Sequence, residues 1–160
     1  MTVPTAVLEQ WLARAVEVYG EQIVPLAVAE RDPFRNPVGT ALRQHLEVLL
    51  EQLLGPMDAA AIDASVEQII AVRAIQDMSA ADAVGFVFCL REILKRELPG
   101  EYAEEMEARI DRLALAAFEH YLGRREQIAE LRLQEKIRAL GPLPYRLRRM
   151  VDRPKSAGRE

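Results

Sequence analysis

The side chains that could carry out chemistry are few in this sequence. It contains two histidines, His45 and His120, and one cysteine, Cys89. A zinc site needs three or four converging ligands, and these residues show no metal-binding spacing. His120 closely follows Phe118 on a predicted helix and could be an axial haem ligand, although a helix histidine bonded to a neighbour is commoner. Cys89 lies in an apolar stretch, where a buried structural thiol is expected rather than a nucleophile.

No phosphate-binding loop and no pair of nucleophile and base can be found either. The sequence therefore predicts a protein that is not an enzyme and that holds no metal or cofactor.

One polar group lies between two predicted helices. It consists of Arg73, Gln76, Asp77 and Ser79. Arg73 and Asp77 are four residues apart, which predicts a shared helix face and an ion pair. Ser79 can cap the next helix. The group could form the lip of a pocket for an anion or small ligand, or contact a signalling partner. The alternative is a turn held by capping bonds and one ion pair.

The C-terminal end of the chain is basic, whereas the chain as a whole carries a net charge of −4. From residue 143 onward there are six basic residues and two acidic ones. The acidic remainder argues against binding nucleic acid. Arg146, Arg148 and Arg149 alternate with apolar residues and could dock on an anionic membrane surface or an acidic protein groove. A flexible, solubilising end fits equally well, so residues 142–160 are expected to be a basic tail.

Helical periodicity dominates the rest of the sequence. Half of all residues are hydrophobic and only 6% are aromatic, and apolar residues recur every three or four positions. Glycine and proline separate five main segments, which predicts an all-α domain over residues 1–141 with helical-bundle or globin-like packing. The predicted helices cover residues 6–19, 37–54, 58–76, 80–98 and 102–140.

The ends of these helices carry their own signals. Thr5 is expected to cap the first helix and Asn36, followed by proline, the second. Pro25 is expected to interrupt any helix between them. The fourth helix is apolar nearly all round and should be central, with Gly85 allowing close approach of another helix. The fifth is so long that a kink or break is expected near Gly123.

One stripe of the long helix is expected to pair with a second copy of the chain, which predicts a homodimer. Its residues are Ile110, Leu113, Ala117, Tyr121, Ile128 and Leu131. The sequence has no signal peptide and no apolar run of about 18 residues, and it has one cysteine, so the cytoplasm is the expected location.

Two stretches resemble the motifs of the RsbRD N-terminal domain family. The residues from Val72 to Phe88 look like its signature, and those from Asp32 to Gly39 are similar to a second landmark. Trp11, the residues from Ala116 to Tyr121, and the pair at 125–126 fit as well. The resemblance covers roughly residues 5 to 140. It implies a regulatory module like the N-terminal part of RsbT co-antagonists, which are stressosome components that carry a STAS domain. Related sensory domains in those proteins are described as dimeric non-haem globins.

The residues and the resemblance together predict a non-enzymatic regulatory or sensory domain that works through protein–protein contacts. No STAS sequence follows the long helix, so the output is expected to pass to another regulatory protein by contact. Two alternatives stay open. One is a globin-like sensor that holds a small molecule near Phe86, Phe88 and Phe118. The other is an accessory protein of a membrane redox complex, docked through the basic tail.

Overall fold

Apolar residues at intervals of three and four positions build six α-helices in a computed structural model that describes residues 3–100 and 104–141. The helices are α1 (Thr5–Val16), α2 (Val24–Ala29), α3 (Pro37–Leu54), α4 (Ala59–Ile75), α5 (Ala80–Glu97) and α6 (Glu104–Leu140). Two 3₁₀ turns, Glu17–Tyr19 and Glu21–Ile23, lead from α1 to α2. The described residues contain no strand. The predicted all-α class is confirmed, and the five expected helices become six.

The additional helix is α2, and the prediction that Pro25 interrupts a helix was wrong. Pro25 lies in the first turn of α2, where its missing N–H group is not needed for an intrahelical bond. The expected cap of α1 was also wrong by one residue. Pro4 occupies the N-cap position and Thr5 is already helical. Both errors concern prolines at helix starts, which favour the first turn rather than break it.

Asn36 joins the end of α2 to the start of α3, and its predicted role as an N-cap is confirmed. Its side-chain oxygen accepts a hydrogen bond of 2.9 Å from the backbone N–H of Gly39. Its side-chain nitrogen donates to the backbone oxygens of Leu26, Ala27 and Glu30, at 3.3, 3.3 and 3.0 Å. A single amide therefore satisfies groups at both helix ends.

The close approach of Asn36 requires glycine at position 39, because a Cβ atom there would overlap the Asn36 amide. We expect Gly39→Ala to lower the free energy of unfolding by about 1–2 kcal/mol through displacement of this cap. Urea denaturation followed by circular dichroism measures it. Gly123→Ala is the matched control, since nothing lies within 4 Å of a Cβ at Gly123. That variant should gain about 0.5–1 kcal/mol. Equal stabilities for the two variants would contradict the role of Asn36.

The core lies among α1, α3, α4, α5 and the first half of α6. Trp11 is fully buried, its indole Nε1 donates to the backbone oxygen of Phe86 at 2.7 Å, and its ring stacks on the Phe86 ring at 6.1 Å between centroids. The expectation that α5 is buried all round was only partly right. Its inner face is in the core, but Phe88 is half exposed, and a Cβ at Gly85 would meet no atom within 4 Å.

The last helix, α6, is continuous from Glu104 to Leu140, so no break occurs near Gly123, and the alternative of a kink there stays a prediction. The chain divides into two compact units, Met1–Arg125 and Glu126–Glu160. In the described part of the second unit, the apolar side chains of α6 from Leu131 to Leu140 are exposed. None of the described helices has an apolar stretch long enough to cross a membrane.

Candidate functional site

Arg73 lies inside the core and not at the lip of a pocket. Its side chain is 1% exposed, although it is a charged residue. Position 73 continues the buried stripe of α4, which includes Val66 and Ile70, and this spacing turns the side chain inward. Its Nη1 donates to the backbone oxygens of Asp82 and Ala83 at 3.0 and 3.2 Å.

The other terminal nitrogen of Arg73, Nη2, donates to the backbone oxygen of Ala15 at 2.7 Å. The guanidinium carbon lies 4.7 Å from the centroid of the Phe86 ring and 5.8 Å from that of Tyr19. Both distances fit cation–π contacts. One side chain of α4 thus holds the C-terminal part of α1 and the N-terminal part of α5.

Burial lowers the pKa of the Arg73 guanidinium from its ordinary value, while Tyr19, Cys89 and Asp82 act in the opposite direction. An arginine still keeps its proton at neutral pH. The charge is therefore compensated by backbone dipoles and ring faces, and no described residue forms a hydrogen bond with its buried Nε. This arrangement is typical of a buried polar network that links helices and whose stability depends on each of its hydrogen bonds.

The expected ion pair between Arg73 and Asp77 does not form, because α4 ends at Ile75 and the spacing of a helix face no longer applies. Asp77 has a φ of 56° in the turn after α4, and its Oδ1 accepts a bond from Arg125 of α6. Gln76 is exposed. The structure thus separates Arg73 from the other polar residues of this group.

Ser79 caps α5, as expected. Its hydroxyl accepts a bond of 3.1 Å from the backbone N–H of Asp82 and donates to the Asp82 carboxylate at 2.7 Å. The α4–α5 turn is also held by Tyr121, whose hydroxyl donates to the backbone oxygen of Met78 at 2.7 Å. The turn is consequently a structural junction among three helices.

The stripe predicted for dimerisation packs mainly inside the chain. Ile110, Leu113 and Ala117 are buried in its own core, so these side chains cannot contact a second copy. Tyr121 is partly buried and bonded to Met78. Ile128 is partly exposed and Leu131 is exposed, both in the second unit.

A different face of α6 is open and apolar. Leu115, Phe118 and Leu122 repeat at intervals of three and four residues and are 64%, 46% and 48% exposed. Leu115 and Phe118, together with residues of α5, border a groove of about 580 Å³, here called the α5/α6 groove. The groove is lined by Ala80, Ala81, Val84, Gly85 and Phe88 of α5 and by Asp111, Ala114, Leu115 and Phe118 of α6. Exposed apolar surface of this kind commonly marks a contact site.

The prediction of a ligand cavity near Phe86, Phe88 and Phe118 was wrong. Phe86 belongs to the buried stack with Trp11, whereas Phe88 and Phe118 lie on the surface, so the three rings do not surround one internal cavity. The sequence contained a signal for the groove, namely the second apolar stripe of α6. That stripe was not recognised because the long helix also carries the stripe that fills the core.

The remaining candidates for chemistry are dispersed. His120 has its Nε2 3.5 Å from a carboxylate oxygen of Asp63 on α4. Cys89 was predicted to be a buried thiol, whereas the structure shows it partly exposed. Within residues 3–100 and 104–141, no three histidine, cysteine or acidic side chains converge as metal ligands do. Arg146, Arg148 and Arg149, for which docking was expected, lie outside the described residues.

Comparison with known protein families finds a match over most of the chain. The family described as the RsbT co-antagonist protein rsbRD N-terminal domain matches residues 5–136. No curated protein and no solved structure matches the chain. The globin-like packing expected from the sequence therefore stays a prediction.

Proposed function

The chain belongs to the RsbT co-antagonist protein rsbRD N-terminal domain family, and from this premise we propose that it is a regulatory or sensory domain that acts through contacts with other proteins. The proposal assigns it no catalytic reaction. The observation that carries it is the α5/α6 groove, an apolar surface that residues 3–100 and 104–141 leave uncovered. A protein whose output is contact needs such a surface, since burial of apolar area drives association.

We further propose that a second copy of the chain occupies the groove. Gly85 and Phe88 lie on the exposed side of α5, three residues apart, and no atom of the described residues lies within 4 Å of a Cβ at Gly85. If two α5 helices cross antiparallel about a two-fold axis, the Phe88 ring of one copy faces Gly85 of the other. A knob and a matching hole on the same surface are what a two-fold interface requires.

Charged residues border the groove beside Phe88. The guanidinium carbon of Arg91 lies 5.7 Å from the centroid of the Phe88 ring. Arg91 also contacts Glu107 and Asp111 of its own chain, each at 2.6 Å, which fixes its guanidinium at the edge of the groove. Ion pairs at an interface edge contribute more to register and association rate than to affinity.

The proposed dimer is tested by placing a side chain in the hole. We expect Gly85→Leu to weaken self-association at least about 100-fold, because the added side chain takes the place of the partner's Phe88 ring. The monomer should be as stable or slightly more stable, since glycine is unfavourable within a helix. Analytical ultracentrifugation measures the association, and thermal unfolding followed by circular dichroism checks the fold.

Two glutamate variants complete this test. Phe88→Glu should also dissociate the dimer, because it would bury a carboxylate against an apolar groove. Phe34→Glu carries the same chemical change at a residue that is 97% exposed on another surface, and it should leave the dimer intact. A wild-type protein that is monomeric at about 100 μM, or a dimer that tolerates both Gly85→Leu and Phe88→Glu, would refute the groove as the site of self-association.

A contact with another regulatory protein, as the stressosome relationship suggests, would use surfaces that the dimer leaves open. The apolar side chains of α6 after residue 130, Leu131 among them, remain exposed and fit this role. The basic tail with Arg146, Arg148 and Arg149 is a second candidate, for an acidic protein or a membrane surface. A chain truncated before residue 142 that keeps its partner and vesicle binding would exclude the tail.

A further inference from the structure

A cavity between α3 and α4 is not part of the groove or of the Arg73 junction. Its volume is about 240 Å³, and its walls include the apolar side chains of Leu42, Ile69 and Val72. It opens beside the start of α3, where Val38 is half exposed. The cavity therefore has an apolar interior and a route to solvent, which are common properties of small-molecule sites.

Three polar side chains face this cavity, and none of the residues that line it carries a carboxylate, an ammonium or a guanidinium group. They are Tyr19, His45 and Gln68. Neither His45 nor Gln68 makes a side-chain hydrogen bond with another described residue, although both can donate and accept. Partial burial lowers the pKa of His45, so its imidazole is neutral at physiological pH. The polar lining is consequently uncharged, and His45 and the exposed Gln68 can bond a ligand in place of water.

We propose that this cavity binds a small, neutral, one-ring molecule that carries a hydrogen-bonding group. The volume of the cavity limits the size of the ligand. An apolar cavity of about 150 Å³ holds benzene, and drug-sized ligands need about 300 Å³ or more. The 240 Å³ cavity lies between these values and fits a substituted or fused small ring. A charged ligand is disfavoured, because it would lose hydration without gaining an opposite charge.

The same cavity is connected to the Arg73 junction through one residue. Tyr19 lines the cavity and also lies against the guanidinium of Arg73. Arg73 in turn holds the backbone of α1 and α5, and α5 carries the groove. A ligand that moves the Tyr19 ring would thus act on the buried guanidinium. This provides a physical link from a sensing cavity to a contact surface.

Indole and its charged analogue indole-3-acetate are suitable probes, and ¹⁵N-edited NMR of the full chain is the measurement. Indole should shift the amide signals of the cavity residues in a saturable way, with a Kd of about 1 mM or tighter. Indole-3-acetate should bind at least about 10-fold more weakly. Ala41→Phe, which fills the cavity, should abolish the shifts, and Ala64→Phe, at an exposed position of α4 outside the cavity, should preserve them.

The link to Arg73 has its own readout. Its buried Nε–H group should give a slowly exchanging signal that moves during the indole titration and ceases to respond in Ala41→Phe. An absence of saturable binding, or binding that survives Ala41→Phe, would overturn the cavity as a ligand site. If indole shifts the amide signals of the cavity residues but leaves the Arg73 Nε–H signal unchanged, the proposed link between the cavity and Arg73 is wrong. The residues that line the cavity and those that line the α5/α6 groove are different, so a failure of the proposed dimer leaves the indole titration a valid test of the cavity.

Discussion

Replacing Arg73 by methionine is expected to lower the free energy of unfolding by about 3 kcal/mol. Methionine has a similar length and is apolar, but it cannot donate a hydrogen bond. The backbone oxygens of Ala15, Asp82 and Ala83 would each lose a donor in a buried environment. The contacts with the Tyr19 and Phe86 rings would also lose their cationic part. Urea denaturation with circular dichroism measures the loss.

Two further arginine variants test whether the hydrogen-bond geometry of the Arg73 guanidinium causes this loss of stability. Arg112→Met changes an exposed arginine of α6 whose one hydrogen bond to the described residues is within its own helix, and its effect should stay within about 0.5 kcal/mol. Arg73→Lys keeps the charge but loses the planar fork, and it should still be less stable than the wild type by about 1–2 kcal/mol. If Arg73→Met were as stable as the wild type, the bonds of Arg73 would only offset the cost of burying its charge.

Replacing Trp11 by alanine is expected to cost about 4 kcal/mol of stability, the largest effect of any single change considered. The indole is fully buried, stacks on Phe86 and donates to the Phe86 backbone oxygen. Alanine removes the packing and the hydrogen bond together. Trp11→Phe keeps most of the packing, so it should cost about 1–2 kcal/mol. Differential scanning calorimetry gives both values, and a smaller loss for alanine than for phenylalanine would contradict the packing argument.

The losses of unfolding free energy caused by replacing Trp11 and Arg73 should not be additive. Phe86 lies against both side chains, with its ring 6.1 Å from the Trp11 ring and 4.7 Å from the Arg73 guanidinium carbon. Once Trp11 is removed, the Phe86 ring can shift and part of the Arg73 contact is already lost. The double variant should therefore be more stable than the sum of the single losses implies, by about 0.5–1 kcal/mol.

Local chemistry made much of the fold predictable. The bounds of α3 were predicted to the residue, because Asn36 and Pro37 are strong starting signals and Gly55 with Pro56 ends the helix. Ser79 was recognised as the cap of α5 for the same reason. These signals act within four residues of each other. The short helix α2 was missed because proline favours a helix start and disfavours a helix interior, and the sequence alone did not distinguish the two.

The candidate sites were less predictable, because helical periodicity does not say what covers an apolar stripe. On α6, Ile110 and Leu113 repeat at the same interval as Leu115 and Phe118, yet the first pair is buried and the second exposed. Arg73 was assigned to the polar group at the α4–α5 turn, because its spacing from Asp77 predicted an ion pair on a shared helix face. Its position on the stripe of Val66 and Ile70 indicated otherwise. The cavity between α3 and α4 depends on the separation of two helices, which no local signal encodes.

The contacts of α1 also bear on the order in which the chain assembles. Trp11 bonds to a residue 75 positions later, and Ala15 to one 58 positions later. Because α1 is synthesised before α4 and α5, it cannot reach its final position until both of those helices have left the ribosome. Contacts between residues so distant in sequence form slowly compared with local helix formation. The single tryptophan lies in this late contact, so its fluorescence during refolding would report the closing of the domain rather than the growth of its helices.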